Sequence, residues 1–497
     1  MTCGILSQKQ IAITNLTVTE LAAQIRSREL KAIEVLEAFA ARAAIAHQLV
    51  FCLTDWFYNE ALKDANRLDA LLEKGGQPLG PLHGVPVALK LRTNNGTAIQ
   101  NTYSVKGRIT TRGHVINKAN PIVSPHDSDV VRIIREAGAV FFCRTTMPQT
   151  GFILETVSNL WGRTLNPYNR LLGAGGSSGG DGALVAMKGC PIAPSTDAGG
   201  SVRAPAAFNG LYGIRPTSTR VPKNLWEGTM SGQMAIRDSA GPICHSMNDI
   251  RLFTRLLITD EQARYDTNAV PMPWRQVNLA PKLCIGIMKW DHVVMPHAPV
   301  LKAIAHTRQV LSAAGHEVIE FEPPFDYWDL VNCYFDIQFQ EGGEHTTSKI
   351  SASGEPLVPA FANLLKVYNA RPRSASEAMD LHLKMRAMKV VFADVWQGTK
   401  RRSSTGRPMD ALVCPFAPSA GIPHDFNIYW GYTYVWNILD YPSTVLPIPG
   451  FQISPELDPP NLGYEPVTTN PYDKANQEIC NSCETRSHDG ATEARPR

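Results

Sequence analysis

Two serines framed by glycines are the residues of this chain best suited to chemistry. The first block reads Gly-Ala-Gly-Gly-Ser-Ser-Gly-Gly-Asp-Gly over residues 173–182, and the second reads Ser-Thr-Asp-Ala-Gly-Gly-Ser-Val-Arg-Ala-Pro over residues 195–205. Glycine lets backbone N–H groups turn towards a ligand, because no Cβ stands in the way. A serine in such a loop can lie beside donors that hold a developing oxyanion. The pattern therefore indicates acyl transfer through a serine such as Ser177 or Ser201.

The first block, taken alone, allows three interpretations. It fits a flexible loop, and it also fits the G-x-S-x-G nucleophile elbow of an α/β-hydrolase with Ser177 or Ser178 at its centre. In a serine esterase of that kind a distant acid and base complete the triad, and Asp410 and His424 are candidates. A phosphate cradle is disfavoured, since neither G-x-x-x-x-G-K-[ST] nor G-x-G-x-x-G occurs in the block.

A lysine at the end of a short apolar segment favours a catalytic interpretation of the serine blocks. Residues 84–90 predict a buried strand that ends on Lys90. This lysine and the two serine blocks together resemble the amidase signature family, and most closely its fungal general amidases and acetamidases. The resemblance covers most of the chain, up to the segment 410–447. It implies an α/β fold in a single large domain, with a mixed central β-sheet flanked by helices on both faces.

The resemblance also implies a role for each candidate site residue. Ser201 matches the nucleophile that forms the acyl-enzyme, Ser177 matches the middle serine, and Lys90 matches the terminal base. In the family the peptide bond before the middle serine is cis. The groups implied for substrate binding and the oxyanion hole are Ser177 and the backbone N–H groups of Ala198, Gly199, Gly200 and Ser201. The residues implied to hold the loop are Ser178, Asp197 and Arg203.

These roles agree with the chemistry of the side chains. A lysine acts as a base only when it is neutral, and burial lowers the pKa of an ammonium group. Lys90 can then accept a proton that Ser177 relays from Ser201. An isolated lysine at a strand end is more typical of a surface residue, and Asp197 and Arg203 also fit a structural ion pair. The combination with the serines favours the catalytic interpretation of Lys90.

The predicted activity is hydrolysis of a monocarboxylic acid amide to the carboxylate and ammonia, with a small-molecule amide as partner. The Ser-Ser-Lys mechanism needs no metal and no cofactor. His83, His126 and His424 lie at spacings that do not indicate a metal site. The charge balance, 48 Lys and Arg against 45 Asp and Glu for a net charge of +3, argues against nucleic acid as a partner.

Two departures from the family pattern leave a non-catalytic, inactive paralogue as an alternative. Leu91 follows Lys90 where the family usually has aspartate, and residues 91–104 form an insertion. The C-terminal part is also atypical, because a polar stretch replaces the expected last strand and helix. We therefore expect an amidase domain over 1–474, with N-terminal helices in 1–75 and the catalytic core in 76–474, and a disordered or aberrant tail over 475–497.

The remaining composition indicates a cytoplasmic enzyme. No apolar run reaches the length of a membrane span, no secretory signal is evident, and the 10 cysteines are scattered. A homodimer is compatible with the sequence. Among local elements, Thr17 and Glu20 predict a capping box, and residues 410–415 predict a central strand. Aromatic residues alternate over 430–436, which is typical of a strand face or a core wall and less so of a substrate pocket.

Overall fold

The computed structural model describes residues 4–90, 105–108, 115, 119, 123–223, 232–259, 261, 266, 268–426, 429–453 and 465–485. The predicted insertion at 91–104 lies outside the described residues. The chain, predicted as one large domain, divides into two compact units by its tertiary contacts. The first unit contains Met1–Gln276, Tyr334–Met379 and Trp436–Pro447, and the second contains Val277–Cys333, Asp380–Val435 and Ile448–Arg497.

The described residues form both helices and strands. The helices are α1 Gln8–Asn15, α2 Val18–Arg26, α3 Ala32–Val50, α4 Tyr58–Glu73, α5 Asp129–Glu136, α6 Gly179–Ala186, α7 Arg203–Phe208, α8 Met247–Leu257, α9 Ala298–Ala313, α10 Tyr327–Gln338, α11 Glu344–Ser351, α12 Pro359–Val367, α13 Ala375–Gly398, α14 Gly431–Leu439 and α15 Pro471–Thr485. The strands are β1 Leu53–Trp56, β2 Pro86–Lys90, β3 Val140–Thr145, β4 Val157–Ser158, β5 Gly162–Arg163, β6 Ile192–Asp197, β7 Tyr212–Arg215, β8 Ser239–Cys244, β9 Cys284–Ile287, β10 Glu317–Glu320, β11 Ala411–Val413 and β12 Ser443–Val445. No helix of the described residues is long and apolar enough to cross a membrane.

The strands of the first unit form sheets of mixed direction. One sheet has the order β1-β3-β2, with β2 parallel and β1 antiparallel to β3. A second sheet has the order β12-β7-β8-β6 and is antiparallel throughout. Strand β2 packs beside β6, and β4 and β5 form a separate small ladder. This combination of helices and mixed strands confirms the predicted α/β class.

Strand β2 is buried on both of its faces, which is why its sequence is apolar throughout. Val87 and Leu89 belong to a core that also holds residues of α2, α5 and α8. Ala88, which points to the opposite face, belongs to a core with residues of α3, α4 and α6. A strand covered by helices on both faces reads as a continuous apolar run and not as an alternating one. The two cores fix β2, and therefore Lys90 at its end.

Helix α2 begins with the capping box that its sequence predicts. In the capping box of α2 the Thr17 hydroxyl accepts the Glu20 N–H, and the Glu20 carboxylate accepts the Thr17 N–H at 2.7 Å. Helix α3 begins differently, because its cap comes from α4. The Asp69 carboxylate accepts the N–H groups of Ala32 at 2.7 Å and Ile33 at 3.0 Å. This contact joins α3 to α4 beneath the sheet.

In the second unit β9 lies between β10 and β11, and all three strands are parallel. Strand β11 is therefore an edge strand, and the sequence-based prediction of a central strand there is wrong. The aromatic segment 430–436 is also not a strand, because it forms the start and middle of α14. Every residue of α14 is buried. A helix that is apolar all round is buried on every side, so alternating aromatic residues cannot distinguish it from a strand.

The predicted disorder after residue 474 is wrong for the part of the tail that the structure describes. Helix α15 begins at Pro471 and continues to Thr485. The buried Asp473 carboxylate accepts the N–H groups of Met295 at 2.9 Å and Val467 at 2.7 Å, and Tyr472 and Asn476 are buried beside it. These buried polar contacts order a segment whose composition suggested disorder. Residues 486–497 lie outside the described residues.

We predict that Asp69→Ala lowers the free energy of unfolding by about 1–2 kcal/mol, because two N–H groups at the start of α3 lose their acceptor. Thermal unfolding of the variant and the parent measures the effect. Asp64→Ala is the matched control on the same helix, since Asp64 makes only an exposed contact with Arg67. That control should change stability by no more than about 0.5 kcal/mol. Equal losses in the two variants would contradict the capping role.

Candidate active site

The loop that carries Ser177 is held at both ends by one threonine. The Thr156 hydroxyl donates to the Gly175 carbonyl at 2.9 Å and accepts the Gly179 N–H at 3.0 Å. Between these points the Gly176–Ser177 peptide bond is cis, which confirms the geometry that the family resemblance implied. Ser178 then leads into α6. The side chains of Ser177 and Ser178 are both buried.

The two serine blocks pack directly against each other. Gly175 has φ +78°, and a Cβ at this position would lie 2.8 Å from the backbone nitrogen of Pro205. Only glycine allows this approach without a clash. The Asn209 amide, which is fully buried, donates to the Ala174 carbonyl at 2.8 Å and to the Pro205 carbonyl at 2.7 Å. The backbone that carries Ser177 is therefore fixed against the segment that follows Ser201.

Lys90 lies in the interior, 1% exposed, at the end of β2. Its Nζ is 2.8 Å from Ser177 Oγ and 2.7 Å from Ser178 Oγ. Thr196 Oγ1, on the neighbouring strand β6, lies 3.5 Å from the same nitrogen. The interpretation of Lys90 as a surface residue is therefore wrong. The amine instead faces three hydroxyl groups, two of which come from the first serine block.

Asp181 is a second ionisable group in the same interior. Its carboxylate accepts the hydroxyl of Thr145 at 2.5 Å and the hydroxyl of Ser195 at 2.5 Å. Burial raises the pKa of Asp181 to about 6, although these two hydrogen bonds and the charge of Lys90 act in the opposite direction. Aspartate stands here where the family generally has glutamate. Asp181 joins α6 to β3 and β6, the strands that border β2.

The loop that carries Ser201 is organised around the carboxylate of Asp197. Its oxygens accept Arg203 Nε at 2.9 Å, Arg203 Nη2 at 3.0 Å and Asn437 Nδ2 at 3.0 Å. They also accept the backbone N–H groups of Gly200 at 2.7 Å and Val202 at 3.2 Å. Burial alone would raise the pKa of Asp197, but the Arg203 guanidinium and these donors hold it well below its usual range. Asp197 and Arg203 thus form an ion pair that also holds the loop.

The contacts of Gly200 correct one part of the predicted oxyanion hole. Because the Gly200 N–H donates to Asp197, it points towards that carboxylate and is already engaged. Gly200 also has φ +122°, which glycine accommodates readily. The other N–H groups of the predicted oxyanion hole are those of Ala198, Gly199 and Ser201. Ser201 itself is 7% exposed and lies between β6 and α7.

The sequence does not identify several residues that build this site. Asn437 comes from α14, far along the chain from the loop that it supports, and no motif links the two segments. Thr156 and Asn209 each act through one side chain that makes two hydrogen bonds with the backbone. The one available signal is for Asn209, a polar residue that follows an apolar turn of helix next to the second serine block.

The contacts of Ser177, Ser178 and Asp410 bear on the α/β-hydrolase alternative. Ser177 and Ser178 both face Lys90, which favours the lysine arrangement over an elbow with His424. The Asp410 carboxylate accepts the Cys284 N–H at 2.8 Å and lies 3.2 Å from Arg407. Among the residues that the structure describes, no group of three His, Cys, Asp or Glu side chains could hold a metal ion.

Comparison with known proteins assigns the class to which this site belongs. The chain matches the Amidase family model over residues 34–451 and therefore belongs to the amidase family, whose members are hydrolases that act on amide C–N bonds. It is 54% identical to an amidase of Gibberella zeae over 478 residues, which cover 96% of this chain and 85% of the relative. It is 39% identical to an acetamidase of Aspergillus oryzae, with coverage of 90% and 80%.

A solved structure agrees with these relatives. Fatty acid amide hydrolase superposes with a TM-score of 0.81 at 32% identity, over 88% of this chain and 74% of that protein. The predicted membership of the family, and the likeness to fungal amidases and acetamidases, are confirmed. The α/β-hydrolase alternative, which rested on the first serine block alone, finds no support.

We predict that Arg203→Met lowers the free energy of unfolding by about 3–5 kcal/mol at neutral pH, because it leaves the Asp197 carboxylate buried without its cation. Without the Arg203 guanidinium, we expect burial to raise the folded-state pKa of Asp197 above its value in the unfolded chain. As the pH rises from the ordinary pKa of a carboxyl group to the raised one, the variant loses stability. In the parent Asp197 is already ionised in this range, so the stability that its ionisation contributes stays constant. The difference between variant and parent should therefore be larger near pH 8 than near pH 5.

Chemical denaturation at both pH values measures this difference. Arg67→Met is the control, since Arg67 makes only an exposed contact with Asp64. It should leave stability nearly unchanged at either pH. A loss for Arg203→Met that does not depend on pH would contradict the account of Asp197.

Proposed function

We propose that this amidase hydrolyses a monocarboxylic acid amide to the carboxylate and ammonia, with Ser201 as nucleophile and Ser177 and Lys90 as a proton relay. The observation that carries the proposal is the position of Lys90 Nζ, buried and 2.8 Å from Ser177 Oγ. The close packing of Gly175 on Pro205 supports it further, since that packing brings together the two segments that carry the serines. The mechanism uses no metal and no cofactor.

The proposed reaction has two halves that use the same relay. Ser201 Oγ attacks the acyl carbon while its proton passes to Ser177 and the proton of Ser177 passes to Lys90. The tetrahedral intermediate then releases the amine, which takes the proton back from Lys90 through Ser177 and departs as ammonia. In the second half water attacks the acyl group on Ser201 and loses its proton to the same relay. As the tetrahedral intermediate collapses, the relay returns that proton to the departing Ser201 Oγ, and the carboxylic acid is released and ionises to the carboxylate.

The relay requires a neutral amine at Lys90 before attack. Burial favours the neutral form of a lysine, whereas an ionised carboxylate nearby favours the ammonium form. Asp181 is such a carboxylate, and its raised pKa reflects the same low-dielectric surroundings. The hydroxyls around Lys90 can donate to a neutral nitrogen or accept from an ammonium, so they serve both states of the cycle.

The names of the relatives support the substrate class. Two relatives of this chain are named acetamidases, and a solved structure with a TM-score of 0.81 is named fatty acid amide hydrolase, so an acyl group of short or long aliphatic type is the first to test. A panel of short aliphatic, aromatic and long-chain amides, with mass spectrometry of the acylated peptide, distinguishes them. A chain that binds amides without turning them over would support the inactive-paralogue alternative.

We further infer a cytoplasmic location. Cys52, Cys143, Cys190, Cys244 and Cys284 are buried as free thiols, which is typical of a reducing compartment. Fractionation of cells that express a tagged chain tests the location. A homodimer stays a prediction, and light scattering of the purified chain measures it.

We predict that Ser201→Ala abolishes amide hydrolysis and labelling by a fluorophosphonate probe, since the variant lacks the attacking oxygen. Ser177→Ala should keep residual labelling but slow hydrolysis by about 10²–10⁴-fold, because Ser201 survives without its relay. Peptide mapping of the labelled parent checks that the adduct is on Ser201. Ser353→Ala, in a turn after α11, is a control expected to react as the parent does. Full labelling of Ser201→Ala would contradict the assignment of Ser201 as the nucleophile.

We predict that Lys90→Met lowers kcat by about 10²–10⁴-fold near neutral pH, because it removes the base but keeps the apolar stem in place. Activity should recover in part at high pH, where hydroxide replaces the amine. The pH profiles of kcat for the variant and the parent test this. An unchanged rate, or a variant profile parallel to that of the parent at every pH, would defeat the proposed role of Lys90.

A further inference from the structure

Tyr334 and Gln338, one turn apart on α10, contact the loop of Ser201 but have no part in the proton relay. The Tyr334 hydroxyl donates to the Ala198 carbonyl at 2.7 Å. The Gln338 side-chain amide donates to the Tyr334 hydroxyl oxygen at 3.2 Å. Both side chains are buried, with exposed fractions of 0% and 3%. Neither residue belongs to a motif, so the sequence analysis does not identify them.

The order of these hydrogen bonds fixes the direction of the phenolic proton. An amide nitrogen can only donate, so the Tyr334 oxygen accepts from Gln338 and its own proton is directed to Ala198. Burial raises the pKa of the Tyr334 hydroxyl well above its usual range, although the bond from Gln338 acts in the opposite direction. The phenol therefore keeps its proton and stays a donor.

A hydrogen bond to the Ala198 carbonyl determines more than the position of that oxygen. The carbonyl of Ala198 and the N–H of Gly199 belong to one planar peptide unit, and in a trans unit they point in opposite directions. The cis bond among the described residues is at Gly176–Ser177, so the unit between Ala198 and Gly199 is trans. Holding the carbonyl towards Tyr334 directs the Gly199 N–H away from α10.

The next peptide unit along the loop is held from another side. The Gly200 N–H donates to Asp197 at 2.7 Å, which fixes the plane between Gly199 and Gly200. Two consecutive peptide planes before Ser201 are therefore set by side-chain contacts, one from Tyr334 and one from Asp197. Preorganised donors are effective because they need not reorient when charge develops on the substrate oxygen.

We propose that Tyr334, oriented by Gln338, is a positioning residue of the oxyanion hole, which acts by fixing the direction of the Gly199 N–H. This inference rests on the proposed Ser201 mechanism and deepens it. Tyr334 itself need not touch the substrate. Its contribution should appear in the transition state, where the acyl oxygen carries charge, and not in ground-state binding.

Tyr334→Phe tests the proposal, because it removes one hydroxyl and keeps the ring. We expect kcat to fall by about tenfold, which is a smaller loss than the 10²–10³-fold typical for removal of an oxyanion donor itself. The KM should stay within about twofold of the parent. An aldehyde inhibitor, which forms a charged hemiacetal on serine, should bind more weakly by a similar factor. Binding of the product carboxylate should not change.

Two further variants separate positioning from general stability. Tyr368→Phe is the matched control, since Tyr368 is also buried and its ring stacks on Phe335. It should hydrolyse amides as the parent does. Gln338→Met keeps the hydroxyl of Tyr334 but removes the hydrogen bond that orients it. The fall in kcat should therefore be smaller than in Tyr334→Phe. Thermal unfolding of each variant identifies any that are misfolded.

The outcomes distinguish this inference from the proposed function. If the parent hydrolyses no amide and Ser201 is not labelled, the proposed function fails. If the parent is active and folded Tyr334→Phe matches it in kcat and aldehyde affinity, the positioning role is overturned while the mechanism stands. A rise in KM alone would also overturn it, because that result assigns Tyr334 to ground-state binding.

Discussion

The candidate site depends on the close approach of two backbone segments. Gly175 lies against Pro205 at a distance that excludes any Cβ, and Asn209 ties the two segments together through their carbonyl groups. Side chains can change rotamer, but a main chain packed on another main chain cannot relax in this way. The geometry that joins Ser177 to the loop of Ser201 is thus set by the backbone, which is the more precise support for a catalytic group.

Buried charge around the site is arranged in two contrasting ways. Asp197 receives a guanidinium, a side-chain amide and backbone N–H groups, and its carboxyl group stays ionised with a lowered pKa. Asp181 accepts the hydroxyls of Thr145 and Ser195, and burial raises its pKa. Lys90 is likewise surrounded by hydroxyls. The ion pair and hydrogen bonds hold Asp197 in one protonation state, whereas burial moves the pKa of Asp181 to about 6, closer to neutral pH.

The chemistry of the site is visible in the sequence to the extent that it is local. Glycine-framed serines, a lysine that ends an apolar strand and a capping box at Thr17 each depend on neighbours along the chain. Asn437 and Tyr334 escaped prediction because their roles arise from helices far away in sequence. The aromatic pattern of α14 predicted a strand face or a core wall, and only the second fits, because burial on every side removes the polar face by which a helix is recognised. The start of α15 was missed because buried contacts of Asp473, and not apolar periodicity, order it.

The segment Trp436–Pro447 contains hydrogen-bond acceptors for two arginines that lie much earlier in the chain. Arg203 donates to Asn437 at 2.6 Å, and Arg215 donates to Asp440 at 2.6 Å, while both arginines are almost fully buried. During translation the loop of Ser201 therefore leaves the ribosome long before these partners have been made. The buried arginines lack these acceptors until the late segment has been synthesised, so the first unit cannot complete its native contacts before then.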